Sequence, residues 1–207
     1  MDIGVTCIDY FNFRPDLAVK YLKKAVDAPP VGSVMDLDAY FNLGIAYRMA
    51  GDWENSAKAF KESEKLFVKH GLDTSDNDYT PDRAAEEYAV SKATAHLKNN
   101  KGAEAIKVFD AFLAKYGTGE AYNISAWTLI ENNQELDKAI EWAKKAVELE
   151  EDILYIQDSL AWGYFMKYKK TGKAEDLDTA IDLLQKIVAA DEDRRADYRF
   201  HPVSYTH

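Results

Sequence analysis

The chain has 207 residues, 47% of them hydrophobic and 30% charged, with a formal net charge of −10 and a sequence pI near 4.9. This length and apolar content are sufficient for a buried core and argue against disorder of the whole chain. The acid excess would repel a phosphate backbone or an anionic lipid surface, so we expect no nucleic-acid partner and no membrane insertion. Plentiful Ala, Glu, Lys and Leu, with few Gly and Pro, favour helices.

The single cysteine, Cys7, limits the redox and metal chemistry of the chain. One thiol cannot form an intramolecular disulfide, which fits a reducing compartment. No apolar run approaches the roughly 18 residues needed to span a bilayer. The first residues, MDIGVTCIDYF, lack the basic start and the long apolar stretch of a signal peptide. We therefore expect a cytoplasmic protein, with a periplasmic location left open if Met1 follows a removed leader.

The N-terminal region up to Pro29-Pro30 predicts one helical hairpin, over residues 1–32. Its second helix presents Ala18, Leu22 and Ala25 at three- and four-residue spacing, which is the pattern of a buried helix face. Consecutive prolines remove backbone donors and fix φ, so we expect the hairpin to end there.

The segment 40–60, YFNLGIAYRMAGDWENSAKAF, gives the clearest hairpin pattern. Four residues of its first helix share one face: Tyr40, Leu43, Gly44 and Tyr47. Gly51 is suited to the left-handed conformation that ends a helix, and Asp52 is suited to capping the next one. We predict a hairpin over 37–70 that turns at these two residues.

The spacing from small Gly44 through small Ser56 to bulky Phe60 recurs further along the chain. The matching triplets are Ala93, Ala105 and Phe109; Ala126, Ala139 and Ala143; and Ala161, Ala180 and Leu184. Small residues let two helix backbones approach at a crossing point, so hairpins are predicted over 82–118, 119–152 and 154–193. With the two earlier hairpins they form one predicted domain, 1–207, which ends in a tail over 194–207.

Two segments interrupt the regular spacing. The polar stretch HGLDTSDNDYTP, residues 70–81, predicts a loop with Thr80 as N-cap and Pro81 at the first helical position. In WGYFMKYKKTGKAEDLD, residues 162–178, several extra residues are expected to separate the paired helices. Evolutionary drift is the simpler interpretation of both inserts, with a functional role as the alternative.

Segment 40–60 has an aromatic residue, then Leu-Gly, then Tyr, then a glycine turn, and then small and aromatic residues. This series resembles the tetratricopeptide repeat. The best-matching residues are Tyr40, Leu43, Gly44, Tyr47, Gly51 and Phe60. Ser56 and Ser63 occupy positions where Ala is usual, and Lys92 and His96 depart from the expected Leu and Tyr. The resemblance covers roughly residues 1–193 and implies an all-α fold, a right-handed α-solenoid of about five hairpins with a concave inner face.

The sequence lacks the patterns of a catalytic or metal site. No two of the four histidines have the i, i+4 spacing of a helical metal site, and no Gly-rich phosphate loop is present. Cys7 lies in an apolar N-terminal segment, which favours a buried, inert thiol over a nucleophile. We therefore expect no enzyme activity, no cofactor and no metal, with a Cys7-dependent enzyme as the weakest alternative.

The resemblance also implies which side chains line the concave face, because in this family first-helix residues offset from the packing positions form it. In this sequence they are Phe41, Ile45, Arg48, Val90, Thr94, Leu97, Asn123, Trp127, Ile130, Asp158, Trp162 and Phe165. Trp127 and Trp162 occupy equivalent places, and aromatic side chains dominate recognition hot spots, so they predict a ladder for an apolar or extended peptide. Burial of each Trp against a neighbouring repeat is the competing interpretation.

Some members of the family grip a C-terminal carboxylate with Asn, Lys and Arg residues from three repeats. Asn42 stands where one clamp Asn stands, but Ile3 and Cys7 replace the preceding basic residue and second Asn. Glu87 and Ser91 then occupy positions that require basic residues. Without those cations a carboxylate has no charge-assisted partner, so we predict no clamp and a partner with a basic or apolar segment instead.

The predicted function is protein–protein interaction, as a scaffold that holds a peptide segment or helix of a partner in the concave groove. The alternative is a structural repeat protein whose end faces build a homo-oligomer. The tail RRADYRFHPVSYTH breaks the repeat. Its Tyr198, Phe200 and Tyr205 are suited to cover the last apolar face, or the tail begins a further repeat.

Overall fold

The computed structural model describes residues 14–28, 34–70 and 80–195. Three predicted features lie outside these ranges: the first N-terminal helix with Ile3 and Cys7, most of the loop after His70, and the tail from residue 196 onward. Within the described ranges every regular element is an α-helix, which confirms the all-α prediction. The chain forms two compact units, Met1–Gly117 and Thr118–His207. The organisation as a single domain stays a prediction.

Unit 1 contains five described helices, and those adjacent in the chain contact each other. They are α1 (Pro15–Val26), α2 (Val34–Met49), α3 (Trp53–His70), α4 (Pro81–Lys98) and α5 (Gly102–Tyr116). Ala18 and Leu22 of α1 join Leu43, Ala46 and Ala59 in one buried cluster. Ala18 and Leu22 therefore mark the face that packs on the next hairpin, whereas Ala25, expected on the same face, is exposed.

The helix ends of unit 1 have the chemistry that the sequence predicts. Gly51 has a φ of +74°, in the left-handed region where a side chain is strained. The backbone N–H of Asn55 donates to Asp52 Oδ1 at 3.2 Å, which caps α3. The backbone N–H of Arg83 donates to Thr80 Oγ1 at 3.1 Å, and Pro81 is the first residue of α4. Both predicted caps are confirmed.

Two helices of unit 1 approach each other closely at Gly44. Phe60 is fully buried, and its ring packs edge-on against Phe41 with the centroids 5.1 Å apart. A Cβ on Gly44 would lie 2.8 Å from the Phe60 ring, so glycine alone allows this approach. The Ser56 hydroxyl donates to the Gly44 carbonyl at 2.8 Å and lies 3.0 Å from Ser91 Oγ. These contacts join α2, α3 and α4.

Unit 2 contains four described helices that form two hairpins. They are α6 (Gly119–Glu131), α7 (Leu136–Leu149), α8 (Leu154–Thr171) and α9 (Ala174–Arg195). The helix α8 contacts α6, α7 and α9. A Cβ on Gly163 of α8 would lie 3.1 Å from Ile130 Cδ1 and 3.3 Å from Ile140 Cγ1. Gly163 thus lets α8 approach both helices of the preceding hairpin.

The segment 162–178 differs from the sequence expectation. Its extra residues do not separate the paired helices, because α8 continues to Thr171 and has 18 residues, against 13 in α6. No Gly or Pro interrupts the chain between Gly163 and Gly172. Gly172, with a φ of +72°, ends α8, and α9 begins at Ala174. The insert therefore lengthens the last hairpin instead of forming a loop.

Candidate partner-binding surface

In unit 1, most of the residues expected to line the groove are inaccessible or already paired. Phe41 is fully buried and Asn42 is 1% exposed, so both side chains belong to the core of the unit. Ile45 is half-buried against the cluster that contains Phe60. Arg48 forms an ion pair with Glu87 of α4. Its charge, which the sequence assigns to partner binding, is thus neutralised within the unit.

In unit 2, the predicted groove residues differ in exposure. Asn123 and Ile130 are buried, Trp127 is half-buried, and Trp162 is 40% exposed. The Trp162 ring packs in a tilted geometry on Phe165, with the centroids 5.2 Å apart. The accessible aromatic surface of this unit is therefore concentrated on α8, with Trp127 of α6 partly accessible.

A cleft with a volume of ≈ 300 Å³ opens between α8 and α9 beside these rings. The residues that line this α8–α9 cleft are Asp158, Ala161, Trp162, Phe165, Leu177, Ala180, Ile181 and Leu184. Asp158 is the one charged side chain among them, and its partial burial raises the pKa of the carboxyl. The cleft therefore combines an apolar lining with a single carboxylate, which is exposed to solvent.

The outer face of α9 continues the apolar surface of the cleft. Ile181, Leu184 and Val188 follow each other at i, i+3 and i+7, and they are 42%, 43% and 57% exposed. A second, shallow cleft lies over Leu184, Val188 and Ala189. None of these residues was selected as a site from the sequence, although their helical spacing at the end of the last repeat is a visible signal. The structure therefore adds α9 to the candidate surface.

The described residues contain no group of three or more His, Cys, Asp and Glu side chains that is arranged to hold a metal ion. No helix in the same part of the chain is long and apolar enough to cross a bilayer. Cys7, on which the weakest enzymatic alternative depends, lies outside the described residues.

A family model described as the tetratricopeptide repeat matches residues 11–67 and 90–152, which together exceed half of the chain. The chain belongs to the tetratricopeptide repeat family. This match confirms the resemblance found in segment 40–60, and the fold of this family supports protein–protein interaction scaffolds. A search of curated proteins found no match.

Several solved structures share the fold along nearly the whole chain. MamA (41-end) from Desulfovibrio magneticus RS-1 is 21% identical, with a TM-score of 0.57 and 93% of each chain covered. A Podosopora anserina protein described as a kinesin light chain with nearly identical TPR-like repeats is 17% identical, with a TM-score of 0.60 and coverage of 94% of this chain and 95% of that one. BtubC from P. vanneervenii is 15% identical, with a TM-score of 0.54 and coverage of 95% and 79%. At such identities the likeness shows the fold alone.

In this chain, the residues at the positions of the family's carboxylate clamp make other contacts. Ser91, at a position that needs a cation, is buried and hydrogen-bonded to Ser56. Glu87, at another, is paired with Arg48. The buried Oδ1 atom of Asn42 has no hydrogen-bond partner in the part of the chain that the structure describes. These positions supply no positive charge for a terminal carboxylate.

Proposed function

We propose that this member of the family is a non-enzymatic scaffold that binds a peptide segment of a protein partner along unit 2. The segment contacts first-helix side chains of α6 and α8, chiefly Trp127, Trp162 and Phe165. The single observation that carries the proposal is the exposed Trp162 ring, packed on the half-buried Phe165 ring beside Asp158. Accessible aromatic side chains are among the features that concentrate binding energy at protein interfaces.

The charge of this surface selects the chemistry of the peptide. Asp158 is a carboxylate in an apolar lining, so a Lys or Arg of the partner gains a favourable pairing there. The net charge of −10 on the chain attracts a cationic segment from a distance. We therefore propose a segment with a basic residue next to apolar residues. A free carboxylate terminus is not the ligand that this unit favours.

The proposal is tested with peptides selected on the 207-residue chain from a random displayed library, re-synthesised and measured by fluorescence anisotropy. We expect the selected peptides to combine Lys or Arg with apolar residues. Trp162→Ala is expected to weaken binding about 30-fold, as for a hot-spot aromatic. Asp158→Lys is expected to weaken it about tenfold, as for reversal of a close charge.

The matched control is Asp182→Lys, which reverses an exposed carboxylate of α9 that does not line the α8–α9 cleft. It is expected to leave peptide affinity unchanged, with far-UV circular dichroism equal to that of the parent protein in all variants. Selection of acidic peptides, or equal affinity for the Asp158→Lys and Asp182→Lys variants, would contradict the proposal.

A second candidate function is self-assembly through an end face of the repeat array. The observation that favours it is the apolar face of α9, formed by Ile181, Leu184 and Val188. Light scattering at low micromolar concentration tests it, with Val188→Glu as the variant that places a charge on this face. A monomer in both proteins excludes self-assembly as the main role. An oligomer that Val188→Glu dissociates supports it over peptide binding.

A further inference from the structure

The α8–α9 cleft is an apolar surface that its described neighbours leave open. Its lining includes the Trp162 ring, which is 40% exposed, and also Ile181 and Leu184, both more than two-fifths exposed. Exposed apolar patches rimmed by polar residues generally mark interaction sites. The one charged residue of the lining is Asp158, which is exposed. An occupant of this cleft therefore has to bring apolar side chains together with a positive charge.

The exposed side of α1 has this composition. Four of its residues form what we call the α1 outer face, at i, i+3, i+4 and i+7: Leu17, Lys20, Tyr21 and Lys24. Tyr21 is 49% exposed, both lysines are exposed, and Leu17 is half-buried. The Lys24 ammonium lies 5.9 Å from the centroid of the Tyr21 ring. This face thus presents an aromatic ring with positive charge beside it.

The charges of the two surfaces are complementary. Lys20 and Lys24 form no ion pair with another residue in the described ranges. They lie one helical turn apart, and like charges at this spacing destabilise a helix. In contrast, α9 carries seven acidic and three basic residues. A carboxylate such as Asp158 from a second copy would relieve the repulsion between the two lysines.

The spacing of the two surfaces also matches. Three residues of α8 line the cleft at i, i+4 and i+7: Asp158, Trp162 and Phe165. Leu17, Tyr21 and Lys24 have the same spacing, so each set spans about 10 Å. When α1 runs antiparallel to α8, Lys24 lies opposite Asp158 and Tyr21 opposite Trp162. Lys169, which lies over the Phe165 ring at 5.8 Å, is then at the end away from Lys24.

We propose that the α1 outer face of one copy docks in the α8–α9 cleft of a second copy, with Lys24 beside Asp158 and Tyr21 on Trp162. Two different surfaces meet, so the contact is heterologous and can repeat from copy to copy. The inference specifies the second candidate function, self-assembly, and needs no foreign peptide. Lys24→Glu is expected to change self-association without changing peptide affinity, so failure of this proposal and failure of peptide binding are distinguishable.

The first test is sedimentation velocity of the 207-residue chain from about 5 to 500 µM, the range expected for a small interface. Lys24→Glu and Asp158→Lys are each expected to weaken association about tenfold. A chain with both changes restores an opposite-charge pair and is expected to associate as the parent does. The controls are Lys107→Glu and Asp182→Lys, which reverse exposed charges outside both surfaces and are expected to change nothing.

The second test mixes Tyr21→Lys, which keeps an intact cleft, with Asp158→Lys, which keeps an intact α1 outer face. Each variant alone is expected to stay monomeric. An equimolar mixture is expected to form dimers and nothing larger, because one intact contact remains and the other brings two lysines together. All variants are expected to keep the far-UV circular dichroism of the parent.

Three results would overturn the proposal. The first is a parent chain that stays monomeric over the whole concentration range. The second is association that Lys24→Glu leaves unchanged, which would assign the cleft to a different surface of the second copy. The third is a mixture of Tyr21→Lys and Asp158→Lys that remains monomeric or forms assemblies larger than a dimer.

Discussion

At the scale of single residues, two glycines lie at close helix contacts that differ in how well they accept an added Cβ atom. The Cβ that Gly44 lacks would lie 2.8 Å from three atoms of the fully buried Phe60 ring. The Cβ that Gly163 lacks would first meet the Ile130 Cδ1 methyl, at 3.1 Å. A buried ring held by its neighbours cannot move away, whereas a terminal methyl can change rotamer.

We therefore predict that Gly44→Ala and Gly163→Ala change the free energy of unfolding by different amounts or in opposite directions. Gly44→Ala is expected to lower the free energy of unfolding by about 1–3 kcal/mol through overpacking. In Gly163→Ala, the gain in helix propensity of about 1 kcal/mol is expected to offset most of the smaller steric cost. Urea unfolding followed by circular dichroism measures both. Equal destabilisation by the two variants would disprove the role assigned to Phe60.

A second prediction at this scale concerns the pH dependence of Tyr155. Its hydroxyl donates to Glu120 at 2.5 Å, and this hydrogen bond raises the pKa of Tyr155 from 10.0 to about 12. The folded pKa lies above the unfolded value, so the stability that the protonated phenol contributes is present below pH 10 and is lost as the pH rises toward 12. A tyrosinate absorbance titration of the parent minus Tyr155→Phe should show ionisation above pH 11.

The control for this titration is Glu120→Gln, which removes the carboxylate charge and keeps the size of the side chain. It should return the ionisation of Tyr155 toward that of an ordinary tyrosine. If the titration of the parent minus that of Tyr155→Phe were centred near pH 10, the hydrogen bond to Glu120 would not persist in solution.

The sequence predicted the residues that pack helices together better than it predicted the residues that form ion pairs between helices. Gly44, Phe60 and the caps Asp52 and Thr80 follow from local spacing, since a helix repeat and a cap involve neighbours within one or two turns. The Arg48–Glu87 pair was not foreseen, because its members are 39 residues apart on different helices. Such pairs depend on how the helices dock, and local patterns do not contain this information.

At the scale of helices, buried hydroxyls connect α2, α3 and α4. Ser56 bonds both the Gly44 carbonyl and Ser91, whereas the equally buried Ser125 donates to Ala121 O of its own helix. A hydroxyl between helices forms hydrogen bonds with buried groups that have few other partners, so it contributes to stability. A hydroxyl that bonds back to a carbonyl of its own helix contributes little.

We predict that Ser56→Ala costs about 1–3 kcal/mol of unfolding free energy, because it leaves Ser91 without this partner in a buried place. Ser91→Ala should cost less, since Ser56 keeps the Gly44 carbonyl. The double variant should show a coupling of about 0.5 kcal/mol or more, and Ser125→Ala should be nearly neutral. Strictly additive effects of Ser56→Ala and Ser91→Ala would contradict a direct contact between the hydroxyls.

The helices themselves were predicted well around the turn at Gly51, and less well in segment 162–178. The small-residue spacing was read as an insertion between helices, yet residues 162–171 are helical. Spacing between packing positions does not say whether added residues extend a helix or form a loop. The absence of Gly and Pro between Gly163 and Gly172 was the local signal for extension.

At the scale of the whole molecule, the net charge of −10 is expected to affect the rate of partner binding. For a cationic peptide from the library selection, raising NaCl from about 0.05 to 0.5 M should slow association about tenfold, because salt screens long-range attraction. A copy of the peptide with Gln in place of Lys or Arg should be nearly insensitive to salt. Stopped-flow anisotropy measures both rates. Equal salt dependence would show that charge does not guide the encounter.

The candidate surface was predicted only in part at this scale. Repeat spacing indicates which helix faces contact each other, and the family fold indicates interaction as the class of function. Exposure within those faces depends on tertiary packing, so the burial of Phe41, Asn42 and Asn123 was not visible in the pattern. The apolar face of α9 was missed because the groove assignment considered first helices alone.

The hydroxyl pair of Ser56 and Ser91 has a consequence for alignment. Apolar ridges recur along a helix at every turn, so two helices can shift by one turn, about 5.4 Å, and still bury similar surface. A hydrogen bond between two short side chains forms in one alignment only. Ser56 also bonds the Gly44 carbonyl, so the same residue fixes the position of α3 along both α2 and α4. Two small polar groups thus select one register among several that apolar burial alone would leave nearly equal.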